Sequence, residues 1–230
     1  QCFGLCFGAA ATAVLSLRGR GQWFCIAALL LGYWVLLVAG GSLEPWHNIA
    51  SRVDAWMLGA HAYKFDAATG LGHEPEGVLS TLPALATTLL GVRAGVVLRE
   101  RGTRGLLLFG VAALAVGGAW SLLLPWNKNL WTPSYAVWTA GWATLLLALC
   151  HWLFDVRGWR PFGRSMGINA ITAYAGSWVM ACLLERFGVF GALYRGVLQP
   201  AIGPLLGDKA ASLAFAFAFV AFWSLLMWAM

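Results

Sequence analysis

Asn127, Lys128 and Asn129 stand together in the short polar break PWNKNLWTPSY, residues 125–135, between two long apolar runs. Trp126 and Trp131 flank them. Two amides and an ammonium can both donate and accept hydrogen bonds. A plain turn between membrane helices needs only polar residues such as Gly, Ser or Asp. Two readings stand side by side: an interfacial turn with Lys128 reaching water and the tryptophans anchoring it, or a corner that faces a substrate. A second polar group, His47, Asp54, His61, Asp66, His73, Glu74 and Glu76, falls within residues 43–77. A His near a carboxylate is the ordinary general-base pair, although an exposed loop is polar in any case. The spacing matches no zinc set such as HExxH, and no metal is expected. No GxSxG, Walker or strand–helix GxGxxG pattern occurs. GRSMGIN, residues 163–169, is Gly-rich but joins two apolar runs, which reads as a tight loop and helix start. Its basic neighbours could hold a phosphate. His151 lies inside an apolar run and reads as a satisfied interior histidine.

These residues are carried by a chain with little polar surface. Of 230 residues, 60% are hydrophobic and 10% charged, and the mean hydropathy is +0.74. A soluble domain carries about 25% charged residues. Apolar runs of about 20 residues recur, so the expectation is an all-α, polytopic integral membrane protein. The alternating ten-residue segments of a membrane β-barrel are absent. The five cysteines fall in apolar runs without a CxxC pair and read as buried small hydrophobes. Many of the fourteen tryptophans mark the ends of runs, as an interfacial belt requires.

Seven spans are expected, at residues 1–17, 22–40, 78–98, 105–124, 134–154, 165–184 and 210–230. Within 43–77, Ile49, Val53, Trp56, Met57 and Ala60 share one helical face, which predicts a short helix over 48–64 lying in the interface plane. Residues 185–209 read as a Gly- and Pro-containing connection, partly re-entrant. Seven crossings put Arg18, Arg20, Arg93, Arg99, Arg101, Arg104, Arg157, Arg160 and Arg164 on one side, in or next to short loops. By the positive-inside rule that side is cytoplasmic, and 43–77 and the 125–135 hairpin face outward. The net charge of +6 is then a matter of topology, with no nucleic acid implied. The chain starts at Gln1 inside an apolar run, which predicts a cut N-terminus.

Three stretches resemble the C-terminal part of the heparan-α-glucosaminide N-acetyltransferase family, which includes bacterial homologues. They are VDAWMLGAHAY (53–63), EPEGVLSTLPALATTLLGVRAG (74–95) and NKNLWTPSY (127–135); GINAITAYAGS (167–177) is a weaker fourth. In the second, the family has Asp where this chain has Glu74. The resemblance implies one transmembrane domain over 1–230, with 43–77 extracytoplasmic. It also implies transfer of an acetyl group from cytoplasmic acetyl-CoA to an amino sugar or glycan across the bacterial inner membrane, among membrane lipids and as a homodimer. In that picture Asp54, His61, Glu76, Asn127, Lys128 and Asn129 bind the acceptor, and Arg157, Arg160, Arg164 and Asn169 meet the CoA. Gln1 resembles the Gln of a Leu-Gln-Arg motif, with Cys2 in the Arg position. The family's catalytic His is then expected upstream of residue 1, and the chain to begin mid-fold. A sugar or glycan-precursor transporter, with the same polar cluster and no transfer chemistry, is the alternative reading; a purely structural membrane subunit leaves that cluster unexplained.

Overall fold

The computed structural model describes residues 2–161 and 163–230, with the backbone alone at Cys2. Gln1, and with it the reading of a Leu-Gln-Arg motif, lies outside them. The chain divides into two compact units, Gln1–Gly158 and Trp159–Met230.

The first unit begins with α1 (Cys2–Ser16) and α2 (Gly19–Ala39). A polar segment follows, with α3 (Ile49–Leu58) and a two-stranded antiparallel hairpin, β1 (Lys64–Asp66) and β2 (Leu71–His73). Then come α4 (Thr81–Ser121) and α5 (Pro133–Cys150), the latter extended by a π-type turn over His151–Val156. α4 is broken at Gly102, whose φ of 59° and ψ of −156° are not helical. Only glycine tolerates that region well. The halves 81–101 and 103–121 fold back on one another, with Ala86, Leu89 and Leu90 sharing a core with Ala113.

That core is built from small side chains. Ala136 and Ala140 of α5, Ala10 of α1, and Ile26 and Leu30 of α2 complete it. Gly117 and Gly141 let the α4 and α5 backbones touch: a Cβ at Gly117 would stand 2.6 Å from the Trp138 nitrogen, and one at Gly141 2.9 Å from the Leu114 nitrogen. Lipid tails are as apolar as leucine, so close backbone packing takes the place of the hydrophobic drive between membrane helices.

The second unit holds α6 (Arg164–Ile168), α7 (Ala170–Arg186), α8 (Val189–Leu193) with a π-type turn to Leu198, α9 (Gln199–Leu206) and α10 (Asp208–Ala229). Phe190 packs on Phe215 and Phe219, with centroids 5.2 and 5.8 Å away. α7 and the stretch Val189–Leu206 meet at 80°, a broken span or re-entrant turn.

The protein is an integral membrane protein of helical type; among the described residues the expected count of seven is not confirmed. Among the described residues four helical segments are long and apolar enough to cross, five with the bent pair counted, the folded-back α4 being counted once. α1 stops at Ser16 with 15 residues, short of the ~20 that a span needs. The third and fourth expected spans are the two halves of the 41-residue α4. The sixth forms one arm of the bent pair, because Gly188 takes φ 69° after α7. The short helix ends at Leu58, six residues before the predicted 64, where Gly59 leaves helical geometry (φ 50°, ψ −127°). Of the described cysteine side chains, Cys6 is buried, Cys25 and Cys150 are half-buried and Cys182 is exposed, so burial holds for one of them.

Candidate functional site

Segment 43–77 is held by side chains that bond to backbone. Asn48 caps α3, its Oδ1 accepting the Ser51 N–H at 2.8 Å, and donates from Nδ2 to the Glu44 carbonyl at 2.8 Å. Capping of this kind satisfies helix donors that have no partner within the helix. Asp66 accepts from the Ala68 N–H (2.9 Å) and the Thr69 hydroxyl (2.7 Å), closing the turn between β1 and β2. Glu74 accepts the Tyr63 N–H at 2.8 Å and the Glu76 N–H at 3.4 Å. Sequence patterning predicts no strand here, since three-residue strands carry too few positions to show alternation.

Asp54 is the pin of this segment. It is 1% exposed, and its Oδ1 accepts the Val78 N–H at 2.8 Å. Gly77 leaves room for it: a Cβ there would collide with the Asp54 carboxylate. The carboxylate therefore ties α3 to the chain entering α4, two residues beyond Glu76. Burial pushes its pKa up; the Val78 N–H opposes this, Glu74 adds to it and His73 opposes it. Asp66 goes the other way, held below the usual carboxylate value by the Thr69 hydroxyl and the Ala68 N–H. A carboxyl whose folded pKa is raised supports folding most fully below its unfolded pKa, near 3.8. That support is lost as pH rises through the folded value. Asp54→Asn keeps an acceptor for Val78 and removes the titration. The variant is expected to gain thermal stability relative to the parent as pH rises from 3.8 through the raised pKa; parallel melting temperatures across that window would contradict the burial assignment.

His73 stands with Nδ1 at 3.5 Å from the Ser51 hydroxyl, its ring 6.4 Å from that of Trp46. His61, Lys128 and Asn129 are exposed.

The 125–135 hairpin is a built turn. Asn127 Oδ1 accepts the Leu130 N–H at 3.1 Å, and the Asn127 N–H donates to Thr132 Oγ1 at 3.0 Å. The Thr132 hydroxyl in turn donates to the Pro125 carbonyl at 3.1 Å. Tyr33 of α2 donates its hydroxyl to the Leu130 carbonyl at 2.7 Å, locking the hairpin to the bundle. Asn127 therefore acts first as a turn former. Asn127→Ala is expected to cost about 1–2 kcal/mol of stability by stranding the Leu130 N–H, measurable by thermal unfolding in detergent; Lys128→Ala on the exposed side of the same turn is expected to leave the melting temperature unchanged.

Between the hairpin and the start of α4 lies a cleft of about 330 Å³, lined by Cys6, Pro75, Glu76, Ser80, Thr88 and Trp131 among others. Trp131 takes φ 51°, a left-handed value unusual for an aromatic residue. Its indole N–H donates to the Thr87 hydroxyl at 3.2 Å, which fixes the ring as a wall. Of the predicted site residues, Glu76 lines this cleft, and Asp54 holds the strand of chain next to it. Asn127, Lys128 and Asn129 sit on the same hairpin as Trp131 but not among the lining residues. In the sequence Trp131 reads only as an aromatic belt residue; its place on the cleft follows from the left-handed backbone.

At the other end of the first unit, Thr103 and His151 share a hydrogen bond of 2.8 Å between Oγ1 and Nδ1, so His151 is a partnered histidine as expected. Arg157 is exposed and its guanidinium lies 4.7 Å from the Trp152 ring centroid. Arg160 and Arg164 are exposed in the second unit, where Asn169 donates to the Met227 carbonyl at 3.3 Å. Among the described residues no group of three His, Cys, Asp or Glu could hold a metal ion.

No family model matches the chain. It is 32% identical over 152 residues to heparan-alpha-glucosaminide N-acetyltransferase of Mus musculus, covering 57% of this chain and 23% of that protein. With the Homo sapiens protein of the same name it is 31% identical over 148 residues, covering 55% and 22%. The chain thus matches less than a quarter of the length of these curated relatives. By sequence, then, this membrane protein is related to the heparan-alpha-glucosaminide N-acetyltransferases.

Proposed function

We propose that the chain forms the acceptor side of a membrane acetyltransferase, which takes acetyl from acetyl-CoA and passes it to an amino sugar or glycan. The observation that carries this reading is the meeting of Glu76 and Trp131 on one cleft. A flat aromatic wall and a carboxylate on one cleft suit a hexosamine: the ring face stacks on the indole, and the carboxylate receives an ammonium or hydroxyl. The names of the two relatives support an acetyltransferase.

In this reading the cleft opens away from the cytoplasm of a bacterial inner membrane. Arg157, Arg160, Arg164 and Asn169 meet the CoA phosphates on the cytoplasmic side. Lys128, with Asn129 beside it and Asn127 shaping the turn, stabilises the oxyanion that develops as the amine attacks the thioester carbonyl; the C–S bond then breaks and CoA leaves as the thiol, carrying the proton the amine gives up. His61 is a further acceptor contact on the exposed rim. The working unit is a homodimer. Asp54 serves as a positioning residue that sets Glu76 through the Gly77–Val78 link.

The test is steady-state acetyl transfer to glucosamine by the full-length protein. Trp131→Phe and Glu76→Gln are expected to raise the acceptor KM by about tenfold or more, with the acetyl-CoA KM unchanged. An unchanged acceptor KM in both variants would remove the cleft from the acceptor site.

A further inference from the structure

Arg93 is a charge without a counter-charge inside a membrane helix. It lies in the first half of α4, eight residues before Arg101, which is about 12 Å of helix. Its Nη1 donates to Gln22 Oε1 at 3.4 Å, and its Nε is buried with no hydrogen-bond partner. No ion pair joins it to a carboxylate among the described residues. Gln22 is itself 7% exposed and spends its amide N–H on the Leu17 carbonyl at 3.1 Å. The guanidinium lies against Gly19 at the start of α2, and a buried charge there is costly unless an anion reaches it.

The Arg93 guanidinium lies 5.6 Å from the Trp23 ring centroid. Trp23 is also the end wall of a groove of about 370 Å³ between α2, α4 and α5. Leu30, Phe109, Ala112, Val116 and Trp120 continue its lining. From Phe109 to Trp120 the groove follows eleven residues, about 16 Å of helix. It is open on the outer surface of the unit, where Leu31 is 49% and Val116 54% exposed. A narrow apolar slot with a cation at one end, opening on the bilayer, has the charge and shape complementarity of an anionic lipid.

We propose that this groove holds one acyl chain of an anionic phospholipid, whose phosphate pairs with Arg93. Gln22 holds the guanidinium in place through its Oε1, and Trp23 separates the headgroup from the chain. The groove shares no lining residue with the Glu76–Trp131 cleft and stands whether or not that cleft binds a sugar.

The test uses the chain reconstituted with equal amounts of dioleoyl phosphatidylglycerol and dioleoyl phosphatidylcholine, and native mass spectrometry of the lipid that stays bound. Phosphatidylglycerol is expected to be retained over phosphatidylcholine by about fivefold or more. Arg93→Gln, which keeps hydrogen-bonding capacity and loses the charge, is expected to bring the ratio to about one. Ala112→Phe fills the groove from an exposed position that burdens no core contact, and is expected to lower retention of phosphatidylglycerol even if the Arg93 variant does not fold. The proposal is overturned if the parent retains both lipids equally, if Ala112→Phe leaves retention unchanged, if a folded Arg93→Gln keeps the preference, or if excess acetyl-CoA displaces the lipid, which would assign the groove to the acyl donor.

Discussion

Gly117→Ala is expected to destabilise the protein by about 3 kcal/mol, the upper range for overpacking a tight contact. The added methyl would stand 2.6 Å from the Trp138 nitrogen and 2.8 Å from its Cα. Both are backbone atoms, so no rotamer change relieves the contact and the second half of α4 must move off α5. Gly118 supplies the control. A Cβ there meets only the Trp138 ring edge at 3.3 Å, which a small ring shift accommodates. Thermal unfolding of the two variants in the same detergent decides the matter: equal melting temperatures would mean that the helices do not touch as described. The position also bears on the cleft. Trp126 donates its indole N–H to the Gly117 carbonyl at 3.3 Å and stacks on Trp138 with centroids 4.5 Å apart. Separation of α4 from α5 would therefore loosen the hairpin that carries Trp131.

The second large effect is expected at Gly77. Alanine there collides with the Asp54 carboxylate and is expected to cost about 1–3 kcal/mol. Asp54→Ala strands the Val78 N–H and is expected to cost about 1 kcal/mol or more. The pair should not add. With the carboxylate gone the new methyl has room, so the double variant is expected to be at least about 1 kcal/mol more stable than the sum of the singles. Additive effects would mean that the two positions do not share space. Under the proposed function, Gly77→Ala also moves Glu76 and raises the acceptor KM, and Asp54→Ala in the same chain restores part of it.

Much of the architecture is legible in the residues alone, because long apolar runs have few alternatives to a membrane helix. The boundaries of α2, α5 and α10 fall within a few residues of the expected spans. What the runs do not reveal is how they join. The break at Gly102 lies in the Arg-rich stretch RERGTR, and helix continues on both sides of that single residue, so no loop separates the two halves. Asp54 reads in the sequence as a polar residue off the apolar face of a helix, open to a sugar. Its burial depends on Gly77 and Val78, 23 and 24 positions away, and no local pattern announces that contact. Asn127 stands out in the sequence for its amide, yet the same amide chemistry that binds ligands also closes turns, and the Leu130 N–H takes its oxygen first.

The fold-back at Gly102 bears on how the protein is made. The two halves of α4 meet through a joint that carries Arg99, Arg101 and Arg104, so they can enter the bilayer together as a preformed helical pair. Pulling that joint through to the opposite face would drag three guanidinium groups across hydrocarbon, at about 2.5–3.5 kcal/mol each on insertion scales. Once the pair has inserted, that cost holds the joint at the membrane face where it lies.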